Sequence, residues 1–310
     1  SKLLYRDAGW LQGFNGRVYA FRDITDCSFA NNELIIAVGM WASGQLAYLR
    51  SISNVKLQYI HGATPWKPDL MEKALPLPFP KVVVASFLKP LVESYGGGDV
   101  LAVIHNGIDQ NEYFDSVDES ERNGIGTIYS SHPAKDPKTI LTVIERLSCL
   151  RPDIPIRIFG TDRRPKKIKR NSYWCLPSVE KSREIYSRSL IWILGSKAEG
   201  FPAPVLEAMA CGCAVVATDC KGTRDMIADG ENAFLVDVGS VEQIVSRVLL
   251  LLNDETLRKQ IRLKAKEFVK EFTLEKATNE LESVLEKLAL SQCVSYRKVD
   301  YPLNSISSQI

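Results

Sequence analysis

The sequence predicts an α/β protein of two domains, each built on a parallel sheet covered by helices. Three observations carry that prediction. The chain has 310 residues, enough for two domains at roughly 150 residues each. Short runs rich in Val, Ile, Leu and Tyr recur without period-two alternation, the pattern of strands buried on both faces. Amphipathic helical stretches lie between those runs, which gives a βαβ rhythm.

The first group of strands is expected at Val18–Phe21, Glu33–Val38, Lys56–Ile60, Val82–Ala85 and Leu101–Ile104. A polar, acidic stretch follows, Asp109–Asn123 (DQNEYFDSVDESERN), with little apolar periodicity. It marks the domain boundary and puts the first domain at 1–118. The second group is expected at Gly126–Tyr129, Ile154–Phe159, Leu190–Leu194, Ala214–Ala217 and Ala233–Val236. Pro137–Leu150 places Ile140, Val143, Ile144 and Leu147 on one helical face, and Ser178–Arg188 and Ser240–Leu252 read the same way. Asp254–Leu290 is a charged, amphipathic helical region, so the second domain is placed at 119–290. Residues 291–310 are polar and hold Pro302, and read as a terminal extension.

Composition excludes several classes. Lys plus Arg is 39 and Asp plus Glu is 37, a net charge of +2. That balance argues against a partner of nucleic-acid type. No apolar run approaches the ~20 residues of a membrane span, and Ser1–Asp7 carries no signal-peptide pattern. The seven cysteines are scattered, which argues against a disulfide framework and fits a reducing, cytoplasmic location. Cys211 and Cys213 form a C-x-C, but His61, His105 and His132 lie far from them in sequence, so no metal site is expected. The strongest local charge bias is Arg163–Arg170, RRPKKIKR. It reads as a solvated loop, as a peripheral contact with an acidic membrane surface, or as a contact with phosphates.

The chemistry concentrates in Ser196–Asp219, SKAEGFPAPVLEAMACGCAVVATD. A buried strand ends in a small polar loop, and Pro204 suits the first turn of a helix that Gly212 ends. A helix N-terminus at the carboxyl end of a parallel strand favours an anion, because free N–H groups and the helix dipole both point at it. Glu199 and Glu207 frame that position. Carboxylates do not bind phosphate but accept hydrogen bonds from sugar hydroxyls. Phosphate flanked by polyols describes a nucleotide-sugar. The alternative is a Glu199 that complements the helix dipole and a Glu207 on a solvated face.

EGFPAPVLEAMACGCAVVATD resembles the donor-site signature of the retaining GT-B glycosyltransferases of family GT4, glycosyl transferases group 1. CKGTRDMIADGENAFLVDVGS and the segment VIHNGID at Val103–Asp109 extend the resemblance. It implies a GT-B fold, two Rossmann-like domains facing across a cleft. It also implies transfer of a sugar from a nucleotide-diphosphate-sugar to a hydroxyl of a glycan or glycolipid, with retention, as in polysaccharide biosynthesis. Glu199 is then the group facing the sugar and Glu207 the ligand of the ribose. Gly200, Phe201, Pro202 and Ala203 place backbone around sugar and phosphates. Lys135 matches a lysine that clamps the diphosphate. The clamp's arginine position falls at Ser131 or His132, with Arg163 or Lys166 as substitutes. His61, in IHGATPW, matches a histidine facing the transferred sugar. His105 reads as packing, and Gly107 as a turn residue free to take positive φ. No D-x-D occurs, so no metal cofactor is expected, and activity should persist in EDTA.

By strand count the first domain is about two βα units short before Ser1, and GFNG at Gly13–Gly16 is a poor match to the family's Gly-rich loop. The chain is therefore expected to bind donor but transfer slowly alone, with a partner chain or a missing segment completing the domain. The rival functions are a nucleotide-sugar epimerase on the same architecture and a donor-binding subunit with little activity of its own. A dinucleotide oxidoreductase fits least, since no G-x-G-x-x-G follows a strand.

Overall fold

The computed structural model describes residues 29, 33–39, 43–65 and 67–299. The expected strand Val18–Phe21 and the turn Gly13–Gly16 lie outside them. Strands β1 (Ile35–Val38), β2 (Lys56–Ile60), β3 (Lys81–Val83) and β4 (Val100–Val103) form a parallel sheet in the order β1-β2-β3-β4. Helices α1 (Ser43–Ser51), α2 (Pro68–Ala74) and α3 (Leu88–Ser94) make the crossovers.

The second sheet has six parallel strands: β5 (Gly124–Ile128), β6 (Ile156–Gly160), β7 (Tyr173–Cys175), β8 (Ser189–Leu194), β9 (Ala214–Thr218) and β10 (Phe234–Val236). Their order is β10-β9-β8-β5-β6-β7. The winding reverses between β5 and β8, and in open parallel sheets the crevice at such a reversal is where ligands bind. Helices α4 (Pro137–Leu150), α5 (Val179–Ser187), α6 (Ala203–Ala210), α7 (Val241–Asn253) and α8 (Glu255–Val269) accompany it.

Buried strands explain the missing alternation: all five residues of β9 are buried. The spacing read in Pro137–Leu150 is realised in α4, which buries Ile140, Val143 and Leu147. Strand β7 was not legible. Three residues are too few to show a period, and it is held instead by Tyr173 packing on Ile158 and Ile168 and donating to the Asp162 carbonyl at 2.6 Å.

Helix α9 (Leu274–Val299) returns to the first sheet. Val284 is buried with Leu57, Val82 and Ile104, and Ala277, Leu281, Leu285 and Leu288 pack beside it. That spacing is one apolar stripe of a helix. Residues 274–290, grouped by sequence with the second domain, thus cover the first. The stretch from Ser291, read as a polar extension, continues as helix to Val299. Amphipathicity shows that a face is buried, not which sheet buries it.

The acidic stretch at the domain boundary is strapped down. Arg122, whose side chain is wholly buried, bonds Asp115 and the Cys211 carbonyl, the latter at 2.9 Å. Arg262 of α8 bonds the Gly212 carbonyl at 2.6 Å and both oxygens of Glu119 at 2.6 and 2.7 Å. Two guanidinium groups therefore satisfy carbonyls at the C-terminal end of α6, where cations are favoured. Gly212, at φ 81°, ends that helix as expected.

Candidate active site

The sheet reversal places the loop after β5 beside the loop after β8. In the first, Pro133–Lys135 makes a single 3-10 turn ahead of α4. In the second, Ser196 to Pro202 leads into α6. The amides of Lys197 and Ala198 both donate to the Ala134 carbonyl, at 2.7 and 3.3 Å, and tie the loops together. Lys135 Nζ then reaches Glu199 Oε1 at 2.5 Å, and the Ser196 hydroxyl donates to the same oxygen at 2.6 Å. Glu199 is 11% exposed and Lys135 27%. One carboxylate oxygen is thus committed to the protein, while Oε2 has no hydrogen-bond partner among the described residues. Lys197 Nζ lies 3.2 Å from Asp136 Oδ1 and adds a second cation.

Backbone meets backbone across the cleft floor. A Cβ on Gly200 would lie 1.8 Å from the His61 carbonyl oxygen, and one on Gly222 would lie 2.4 Å from the Gly200 carbonyl oxygen. The loops after β2, β8 and β9 therefore touch where only glycine fits. His61 is solvent-exposed, with its ring 4.4 Å from that of Tyr59, and the protein packed around it lowers its pKa by desolvation.

Phe201 is buried and stacks on His105 at 4.8 Å, while Asn106 Nδ2 donates to the Phe201 carbonyl at 3.2 Å. His105 packs, as expected, and its Nε2 also lies 2.9 Å from Asp225 Oδ2, which accepts the Ser86 amide at 2.6 Å. Gly107 is a correction: it is not among the glycines with positive φ. Its Cβ would sit 2.2 Å from the Thr273 carbonyl, so glycine is needed where the chain crosses back toward α9.

Between the domains lies a cleft of about 680 Å³. Its first-domain wall is Ala63, Pro65, Met71, Phe87, Pro90 and Leu91. Lys197, Glu199, Lys221 and Arg224 stand on the other side.

Helix α6 buries Val205, Leu206, Ala208 and Met209, and no side chain caps its N-terminus, where Pro202 is extended. Ala203 is its first residue and Pro204 its second. Glu207 does not lie on a solvated face. Tyr186 donates to its Oε2 at 2.7 Å, and burial pushes its carboxyl above the usual range. Burial likewise pushes up the Tyr186 and Tyr113 hydroxyls, and the Glu207 charge adds to both.

Ser131 is exposed, and its amide is committed to Asp162 Oδ2 at 2.5 Å, with the Ser130 hydroxyl at 3.0 Å. The Ser131 N–H holds the Asp162 carboxyl below its ordinary pKa. Arg163 and Lys166 are exposed in the loop after β6 and do not line the cleft. That loop folds back, with Ile168 buried and Lys167 3.7 Å from Glu145 of α4. The cleft cations are instead Lys197, Lys221 and Arg224, and Arg224 pairs with Asp219 at 2.7 and 2.9 Å. Sequence reading missed all three. Lys197, two residues before Glu199, was the one with a local signal. Among the described residues no group of three or more His, Cys, Asp or Glu could hold a metal ion. Nor is any described helix long and apolar enough to cross a membrane.

The profile of glycosyl transferases group 1 matches residues 109–268, just over half of the chain. This protein belongs to the glycosyl transferases group 1 family. An uncharacterised glycosyltransferase of Methanocaldococcus jannaschii is 34% identical over 97 residues, 31% of this chain and 28% of that protein. The N-acetyl-alpha-D-glucosaminyl L-malate synthase of Bacillus anthracis is 32% identical over 102 residues, 33% of this chain and 27% of the synthase. The matches span less than half the length of these relatives. Among solved structures, Anabaena HepE in complex with UDP-glucose superposes with a TM-score of 0.67 at 16% identity, covering 82% of this chain and 78% of that one. TarM superposes at 0.65 and 18% identity, covering 82% and 54%. The chain therefore has the GT-B fold, and the sequence reading of fold and family holds.

Proposed function

We propose that this glycosyltransferase moves a hexosyl group from a nucleotide-diphosphate-sugar to a hydroxyl of a glycan or glycolipid, with retention and without a metal ion. The observation that carries this reading is Glu199, fixed by Lys135 and Ser196 at the sheet reversal, beside the uncapped N-terminus of α6. The diphosphate fits that N-terminus and Lys135. As donor enters, Lys135 exchanges its bond to Glu199 for one to phosphate, which frees both Glu199 oxygens for sugar hydroxyls. Glu207, held by Tyr186, accepts from the ribose diol. Gly200, Phe201, Pro202 and Ala203 supply the close backbone. His61, on the opposite wall, faces the transferred sugar.

In such a site the departing diphosphate is stabilised by fixed donors, and the acceptor is held on the face it leaves. HepE was solved with UDP-glucose, which supports a donor of this class on this fold. The test is a transfer assay with UDP-, GDP- and ADP-sugars in excess EDTA, with the anomeric configuration of the product read by NMR. Transfer with retention is expected. Complete loss in EDTA with rescue by magnesium refutes the metal-free reading, an inverted product refutes retention, and an epimerised donor assigns the protein to epimerases.

A further inference from the structure

The run Arg163–Arg170 is not absorbed by the cleft. It holds six cations in eight residues, all exposed. Among the described residues Lys167 alone has an ion pair, the 3.7 Å contact with Glu145. The loop is nevertheless ordered. Asp162 pins its start through Ser130, Ser131 and Tyr173, and Ile168 is buried at its centre with Ile158 and Tyr173. Arg164 bonds the Ile168 carbonyl. The cations are therefore held out on a fixed turn.

Directly beside them runs a groove of about 540 Å³ between this loop and α4. Its apolar lining includes Leu141, Ile144, Ile154, Ile156 and Ile158, and Lys167 and Lys169 stand on its rim. Glu145, the partner of Lys167, also lines the groove, but the adjoining loop carries six cations, and an aliphatic floor beside a predominantly cationic rim is complementary to an anionic amphiphile. We infer that this face of the second domain docks on the surface of an anionic phospholipid bilayer, with headgroup phosphates on the Lys167–Arg170 rim and acyl chain in the groove.

A bilayer supplies a continuous negative plane with hydrocarbon beneath it, so it meets rim and floor together without any fixed register. An acidic peptide would have to match both in one register. Polybasic segments are drawn to such surfaces and released by salt. Asp162 joins this loop to the loop carrying Lys135.

The test uses the whole chain with vesicles of phosphatidylcholine containing about one-third phosphatidylglycerol, and vesicles of phosphatidylcholine alone, in a flotation assay. Binding only to the anionic vesicles is expected. It should weaken about tenfold or more in the triple variant Lys167→Glu/Lys169→Glu/Arg170→Glu, and again at high salt. These side chains are exposed, and donor turnover in the triple variant should match wild type. A polarity-sensitive fluorophore on Cys149, which lines the groove and is exposed, should shift to the blue with anionic vesicles. Equal binding by wild type and triple variant, or no binding to anionic vesicles, overturns the inference. A Cys149 shift with polyglutamate but not with vesicles overturns it in favour of an acidic protein.

Discussion

The two walls of the cleft are built on opposite principles. The second-domain wall is ionic: Lys197, Lys221 and Arg224 stand around Glu199, which also binds Lys135, and most of these groups are already paired within the protein. The first-domain wall is smooth and apolar, with Met71 buried and Phe87 and Leu91 packed on the core. Charge recognises the part of a substrate common to all donors. An apolar wall excludes water and selects by shape. The difference teaches that loss of an ionic group should change donor binding or donor turnover, whereas loss of an apolar one should change only the second substrate.

The largest effect should come where the walls touch. Gly200→Ala puts a methyl 1.8 Å from the His61 carbonyl, with backbone on both sides. The walls must move apart, and misplacement on this scale costs about a hundredfold in transfer. Steady-state kinetics beside a melting curve reads this. Near-normal turnover would show that the walls do not meet as described.

Glu199→Gln should lower kcat about ten- to a hundredfold, because a contact that orients the sugar in the transition state is weakened. Affinity for the nucleoside diphosphate should stay within a few-fold of wild type. Calorimetry with the diphosphate and turnover with the sugar donor separate the two. If neither changes, Glu199 serves only the helix dipole.

Glu207→Ala should weaken nucleoside diphosphate binding roughly ten- to a hundredfold, through loss of a charged acceptor worth roughly 1.5–3 kcal/mol. Burial raises the Glu207 carboxyl above its ordinary 4.5. Its folded pKa therefore exceeds its unfolded one, so its contribution to stability is full below the unfolded value and is lost as pH rises through the folded value. Glu207→Gln should accordingly melt higher than wild type at pH 7. Nucleotide affinity should fall as pH drops through the raised pKa, and that step should vanish in the variant. A lower melting temperature for Glu207→Gln would mean that the charge is better solvated than its burial implies.

The smallest effect belongs to the apolar wall. Leu91→Ala should raise the acceptor KM about three- to tenfold, the worth of one or two methylenes, and leave donor affinity alone. An equal change in donor affinity would erase the distinction between the walls.

Only part of the ionic wall was legible in the sequence, and the apolar wall was not. The second domain announces itself because strand, Glu199, helix and strand are contiguous, and each step has its own local physics. Lys135 was reached through the family resemblance, as the match to a lysine that clamps the diphosphate. The cleft cations Lys221 and Arg224 were not, since an isolated bridge between Glu199 and Lys221 is a tertiary event with no periodicity. Arg163 and Lys166 drew attention through charge density, yet the buried Ile168 turns their loop away from the cleft. Gly107 looked like a turn residue, and only the return of the chain at Thr273 shows why it lacks a side chain. The same return hid the destination of α9, whose apolar stripe fits either sheet.

The most direct test of the ionic wall is a calorimetric titration of uridine, guanosine and adenosine diphosphates into wild type, Lys135→Met and Leu91→Ala. The account predicts that at least one nucleotide binds wild type, that Lys135→Met weakens it about tenfold or more, and that Leu91→Ala binds as wild type does. Unchanged affinity in Lys135→Met, or an equal loss in Leu91→Ala, would contradict it.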